Sequence, residues 1–145
     1  GVRLMSSIER VSNFVEWLVE TLAAEFNGDA EIHVGEGALL SGSQVVVGDV
    51  TVTAGDERAG TRRRPFVLTA DLLVFAVDSG GSPAEARTLA ASIGARVEST
   101  LNVAGARSGG GVCDMSAVLD SLGPFATNDG RGVAAPYSVT AMFRE

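Results

Sequence analysis

Lysine is absent from this 145-residue chain, and histidine, cysteine, tryptophan and tyrosine each occur once. Without lysine, a phosphate-binding loop that ends in Gly-Lys-Ser/Thr, a Schiff-base enzyme and a lysine general base are all excluded. One cysteine (Cys113) and one histidine (His33) cannot assemble a Cys/His zinc site within one chain, and a lone cysteine forms no intrachain disulfide. The sequence therefore predicts no metal centre and no cofactor.

Long apolar runs are missing as well. No stretch approaches the ~18 consecutive apolar residues that would span a bilayer, and the first residues show no charged-then-apolar leader. We therefore expect a cytoplasmic or particle-borne protein that does not associate with membranes. Its 11 arginines oppose 18 acidic residues for a net charge of −7, which argues against a general nucleic-acid binder.

The remaining composition is typical of a folded chain, because 46% of the residues are hydrophobic and 20% are charged. Capped amphipathic stripes predict helices over residues 7–26 and 83–101. The predicted apolar stripe of the second helix is Ala86, Leu89, Ala90, Ile93, Val97 and Leu101. Strands are predicted over Glu31–Val34, Val45–Thr53, Phe66–Val77, Val112–Asp120 and Ala134–Arg144. Residues 1–145 thus form one predicted α+β domain. Its mostly antiparallel or mixed sheet of about four to five strands carries both helices on one face.

Three local features refine this expectation. Asn27-Gly28 supplies a left-handed stop to the first helix. Gly94 lies inside the second helix, at a point where we expect the helix to approach the sheet closely. Pro136 predicts that the last strand is an edge strand or begins irregularly, because proline cannot donate to a ladder of hydrogen bonds.

The search for catalytic residues yields little. His33 lies in a short strand and no Gly-x-Ser-x-Gly elbow exists for it to serve, so we interpret it as a surface or edge-strand imidazole. Cys113 alternates with Met115, Ala117 and Leu119, which indicates a small core side chain. The glycine run at 109–111 precedes a strand rather than a helix, so it is not a dinucleotide cradle. We predict that the protein is not an enzyme.

The one concentration of charge is Arg62, Arg63 and Arg64, in a polar connection over residues 55–65 that also holds Asp56 and Glu57. Three interpretations stay open for the arginines: a solvated loop, a contact with carboxylates of a neighbouring subunit, or a contact with phosphate. We treat the loop as a candidate subunit interface. We expect it to be mobile in the free subunit and ordered by assembly, because almost no apolar side chain in it can offset the entropy of ordering.

Trp17 lies on the first helix but off its main apolar stripe of Ile8, Val11, Val15, Leu18, Leu22 and Phe26. A tryptophan in that position is a candidate interface anchor. The alternative interpretation is that the buried face of the helix is broad and includes Phe14.

The order and texture of these elements resemble the tail terminator proteins of long-tailed bacteriophages, together with related tail-completion (minor tail) and head–tail connector proteins. The resemblance lies in the helix segment FVEWLVETLAAEF, the strand PFVLTADLLVFAV, the helix SPAEARTLAASIGARVESTL and the ending PYSVTAMFRE. It covers most of the chain and includes no catalytic motif.

This resemblance implies a virion structural protein at the head–tail junction, assembled in the host cytoplasm. Subunits would form a homo-oligomeric, hexameric ring that caps the tail tube, stops polymerisation of the major tail tube protein and joins the head–tail connector or stopper protein. Genome DNA would pass through the lumen during ejection without specific binding. A connector or stopper at the same junction, and a small ligand-binding α+β domain, are the alternatives.

Overall fold

The computed structural model describes residues 7–35, 43–54, 66–78, 83–104, 112–127 and 130–143. Within these ranges, two helices and six strands follow one another: α1 (Ser7–Phe26), β1 (Glu31–Val34), β2 (Gln44–Ala54), β3 (Phe66–Asp78), α2 (Pro83–Ala104), β4 (Val112–Leu119), β5 (Gly123–Thr127) and β6 (Gly130–Phe143). The predicted α+β class is confirmed, and both predicted helices are present. Neither described helix is long and apolar enough to cross a membrane.

One mixed sheet contains all six strands, in the order β1-β2-β3-β6-β4, with β5 alongside β6. Only β1 and β2 are parallel, and every other pairing is antiparallel. β5 was not predicted as a strand, because Pro124 and the sequence Asn128-Asp129-Gly130 are typical of a loop. Because β5 pairs with β6 alone, Pro124 lies on an outer strand, where a missing N–H is tolerated.

The position of the last strand in the sheet differs from the prediction that Pro136 gave. β6 pairs with β3 on one side and with β4 and β5 on the other, so it is not an edge strand. Pro136 is accommodated because β4 has ended opposite Tyr137 and β5 begins only opposite Ala134. The Pro136 carbonyl accepts the backbone N–H of Asp120 in this gap, at 2.8 Å. The proline nitrogen faces the same side, where the ladder already has a break.

Both helices pack on the same face of the sheet, as predicted. α1 lies over β1 and β2, and α2 lies over β3, β6 and β4. The core joins alternate residues of the central strands to one stripe of each helix: Leu68, Ala70, Leu72, Val74 and Ala76 of β3; Val133, Ala135, Tyr137, Val139, Ala141 and Phe143 of β6; Phe14, Leu18, Leu22 and Phe26 of α1; and Ala86, Ala90, Ile93, Val97 and Leu101 of α2. Ile8 and Leu89 were predicted to lie on these stripes but are exposed.

Candidate functional site

The predicted interface loop lies outside the described residues, and so do Asp56, Glu57, Arg62, Arg63 and Arg64 within it. Trp17 is described and half-buried. Its ring stacks on Phe14, with ring centroids 6.3 Å apart and planes inclined by 20°. Phe14 itself is buried, so the buried face of α1 is broad, as the alternative interpretation held. The role of Trp17 as an interface anchor stays a prediction.

The histidine lies where the sequence predicts it, on a strand at one edge of the sheet. His33 Nε2 is 3.1 Å from Glu31 Oε2, two residues away on β1. Within the described ranges, no group of three or more His, Cys, Asp or Glu residues is placed to hold a metal ion. The side chain of Cys113 is not among those described. What the described residues do offer is two surfaces at opposite edges of the sheet.

The first surface is a shallow groove between α1 and the edge strand β1. We call it the α1–β1 groove, and its lining is Ser12, Val15, Glu16, Val19, Glu20 and Val34. Val15 and Val19 are half-buried against the core, whereas Val34 is 56% exposed at the outer margin. Periodicity placed Val15 on the core stripe but gave no sign of the groove, because the groove depends on how the helix sits beside β1.

The second surface is at the opposite edge, where β4 ends and the chain turns into β5. We call it the β4–β5 corner, and it consists of Val118, Leu119 and Leu122. These side chains are 56%, 42% and 47% exposed, respectively. Next to them, the Asn102 amide oxygen of α2 accepts the N–H of Ala117 at 3.3 Å. A side chain of α2 therefore occupies part of the outer backbone edge of β4, while the corner itself remains open and apolar.

Arg96 of α2 joins the two helices. Its Nη2 donates to the backbone carbonyl of Glu25 at 2.7 Å, and its other nitrogens lie 3.2 Å from the Glu25 carboxylate and 3.0 Å from that of Asp29. The guanidinium also lies 4.5 Å from the ring centre of Phe26. Its hydrogen bonds to Asp29 and Glu25 raise the pKa of Arg96 above its ordinary value.

This arrangement supplies a cation to the end of α1, whose last turn has no basic residue of its own. Asn27 (φ 44°) and Gly28 (φ 95°) then turn the chain in the left-handed region, as predicted. The role of Arg96 was not predicted, since its partners are about 70 residues away and no local pattern links them.

Tyr137 crosses beneath α2 at the centre of the sheet. A Cβ added to Gly94 would lie 2.3 Å from the Tyr137 hydroxyl, so the predicted close approach of helix and sheet is confirmed. The hydroxyl donates to Glu98 Oε2 at 3.3 Å. Burial, followed by the charge of Glu98 and this hydrogen bond, raises the pKa of Tyr137 to about 12. The contact fixes the distance between α2 and β6.

No protein-family model matches the sequence, and no curated protein sequence matches it. Among solved structures, the fold is similar to that of a chain in the virion of a native gene transfer agent particle. The TM-score is 0.53 with 14% sequence identity, and the match covers 90% of this chain and 92% of that chain. The likeness therefore shows a shared fold over nearly the whole of both chains.

Proposed function

We propose that this protein is a structural component of a phage-like virion and has no catalytic activity. The observation that carries the proposal is the fold shared with a gene transfer agent virion chain over 90% of this chain. It agrees with the resemblance to phage tail-completion proteins, which is independent of the coordinates. The scarcity of catalytic side chains supports the same proposal, because the chain has one histidine, one cysteine and no lysine.

Within the virion, we assign the chain to the head–tail junction as a tail terminator. Subunits would form a ring on the end of the tail tube, stop its growth and present a docking surface to the connector. The net charge of −7 suits a ring through which DNA passes without being held, since acidic surfaces repel the phosphate backbone. The alternative is a connector or stopper protein at the same junction.

Deletion of the coding sequence from a strain that produces the particles separates these roles. Loss of a terminator leaves tube polymerisation unchecked, so we expect tails of irregular and excessive length in electron micrographs. Loss of a connector would instead give tails of normal length that are not attached to filled heads. Normal, infectious or DNA-transferring particles in the deletion strain would contradict a virion role altogether. Complementation with the wild-type chain is the control.

A further inference from the structure

We propose that the α1–β1 groove of one subunit receives the β4–β5 corner of a second copy of this chain, so that subunits associate head to tail. The inference rests on the proposed function, since it supplies the contact that a ring would repeat. A heterologous contact of this kind needs two different, complementary patches on each subunit. The described residues place such patches at the two opposite edges of one sheet.

The groove has the features of a receiving surface. The backbone N–H groups of Glu31 and Gly35 point toward β2. They donate to the carbonyls of Ser43 and Val47 at 3.0 and 2.8 Å, respectively. By strand alternation, the backbone groups of Ile32 and Val34 point away from β2, and no described strand pairs with that side. The exposed Val34 and the half-buried Val15 and Val19 make the adjacent surface apolar. An inserted apolar side chain would complete the burial of these three valines.

The corner has the features of the inserted surface. Leu119 is the last paired residue of β4, Leu122 follows three residues later in the connection to β5, and both leucines are exposed. The backbone of β4 at Ala117 already donates to Asn102, so a continued sheet across the interface would require that bond to break. Side-chain insertion into the groove requires no such loss. The contact we infer is therefore made by leucine side chains rather than by pairing of β4 with β1.

The two patches also lie at the same level of the sheet. Residue pairing runs in one line across five strands, from Val34 through Val47, Leu72 and Tyr137 to Leu119. Val34 and Leu119 are thus the two ends of a single row on the helix-covered face, separated by four strand spacings or roughly 19 Å. A rotation with no shift along the strands can bring one end of the row onto the other end in the next subunit. Such a contact closes a ring when the rotation from one subunit to the next divides a full turn evenly.

The charges near the two patches also favour contact between the α1–β1 groove of one subunit and the β4–β5 corner of the next. Glu16 and Glu20 are exposed on the groove and form no salt bridge with a described residue. Arg87 is exposed on α2 and likewise has no described ionic partner. It lies on the opposite side of α2 from Arg96, which faces the end of α1, so it is on the side of the helix away from α1. An acidic rim on one edge therefore meets a cation on the other.

One carboxylate, that of Asp120, lies in the chain between Leu119 and Leu122 of the corner. Its Oδ2 accepts the Ser138 hydroxyl at 2.7 Å. Ser138 alternates with Tyr137 along β6 and faces the side of the sheet opposite the helices. Asp120 is therefore turned away from the helix-covered face on which the acidic groove lies, so it does not oppose Glu16 and Glu20 in the contact.

A photo-cross-linking amino acid at position 34 tests this contact directly in purified particles. After irradiation we expect a dimer-sized product in which residue 34 is linked to the tryptic peptide that follows Arg107 and ends at Arg131, since this peptide contains the corner. The same amino acid at position 52 is the matched control. Val52 is also an exposed valine, but it lies outside both patches and should give no such product.

Every other cross-linking result from particles that contain the chain overturns the inference. A link from position 34 to the same region of a second copy would indicate a two-fold contact, and a link to a different virion protein would assign the groove to that partner. Particles that contain the chain but yield no dimer would show that the groove is not a subunit contact, while the virion role would stand. If the chain is absent from particles, the proposed function fails separately, and the same cross-linking on the purified chain decides the contact.

A charge exchange gives a second readout. Glu20→Arg should lower the yield of the cross-linked dimer about two- to fivefold, the range expected for a rim ion pair. Adding Arg87→Glu to Glu20→Arg should restore the yield. If Glu20→Arg leaves the yield unchanged, or if Arg87→Glu lowers it further in the double variant, the ionic part of the contact is contradicted. Thermal unfolding of each variant checks that the subunit is still folded.

Discussion

The two helices cover the same sheet with different side chains. α1 rests on large residues, Phe14, Leu18, Leu22 and Phe26, and lies over β1 and β2 at one margin. α2 approaches the central strands with Ala86, Ala90 and Gly94, so its backbone lies close to β6. α2 packs closely on the central strands and fixes the centre of the fold. α1 packs at one margin of the sheet and leaves the α1–β1 groove open beside it. The groove that we propose as a subunit contact therefore lies beside α1, whereas α2 packs on the centre of the sheet.

Shortening a large side chain under α1 should produce the largest effect. Leu22 is fully buried, so Leu22→Ala should lower the free energy of unfolding by about 2–5 kcal/mol through lost burial and a residual cavity. Ile8, on the same helix, is 77% exposed, and Ile8→Ala should change stability by less than about 0.5 kcal/mol. Urea denaturation followed by circular dichroism measures both. Equal losses for the two variants would mean that α1 packs on a different stripe.

Adding one methyl group beneath α2 should be the next most costly change. Gly94→Ala places a Cβ against the Tyr137 hydroxyl and should destabilise the fold by about 1–3 kcal/mol. This loss would outweigh the roughly 1 kcal/mol that alanine contributes to an exposed helix. Tyr137→Phe removes the hydroxyl, so most of the cost of Gly94→Ala should disappear in the double variant. If Gly94→Ala is stabilising in the wild-type background, the close approach of α2 is refuted.

Removing the contacts that Arg96 makes between the two helices should have a smaller effect on stability. Arg96→Met keeps much of the side-chain length but removes the bonds to the Glu25 carbonyl and to the carboxylates of Glu25 and Asp29. We expect a lower melting temperature and faster hydrogen exchange in the last turn of α1. Arg87→Met, on the same helix but with no salt bridge to a described residue, is the control and should leave both unchanged. Equal effects would show that Arg96 does not secure the end of α1.

The smallest effect on stability should come from ionisation of Tyr137, and it should appear only at alkaline pH. Because the pKa of Tyr137 is raised from 10.0 to about 12 in the folded state, its contribution to stability is complete below pH 10 and is lost as the pH rises toward 12. Tyr137 is the only tyrosine in the chain, so absorbance near 295 nm titrates it without interference from other phenols. A midpoint near 10 in the folded protein would show that the ring is not buried beside Glu98. In Tyr137→Phe, this alkaline loss of stability should be absent.

The sequence predicts those parts of the fold that depend on neighbouring residues. The bounds of α1, the start of α2, the Asn27-Gly28 stop and the closeness implied by Gly94 are encoded within a few positions, and all were predicted. The end of α2 lies three residues beyond the predicted position. Ile8 and Leu89 were misplaced because periodicity does not show where along a helix the buried stripe begins or how wide it is. The position of β6 and the partners of Arg96 depend on pairing between distant segments, which no local pattern specifies. β5 is different, because it pairs with β6 only two residues further along the chain, so a local hairpin signal was present and was interpreted as a loop.

The candidate surfaces also divide into those that local sequence features indicated and those that depend on the assembled sheet. Trp17 and the arginine loop were singled out as unusual local features, and their roles as interface residues stay predictions. The groove and the corner are formed from α1 with β1 and from β4 with β5, so they exist only once the sheet is assembled. Leu119 looked like a core residue because it alternates with Met115 and Ala117. It is exposed because β4 is an outer strand at that point.

Cryo-electron microscopy of purified particles, focused on the head–tail junction, tests the virion role most directly. We expect a closed ring into which this two-helix, six-stranded fold can be built, with the α1–β1 groove of each subunit against the β4–β5 corner of the next. Tryptic peptides of the chain should be present in the same particles at a stoichiometry compatible with the symmetry of the tube. Particles that are complete and active but contain neither the fold at the junction nor these peptides would contradict the account.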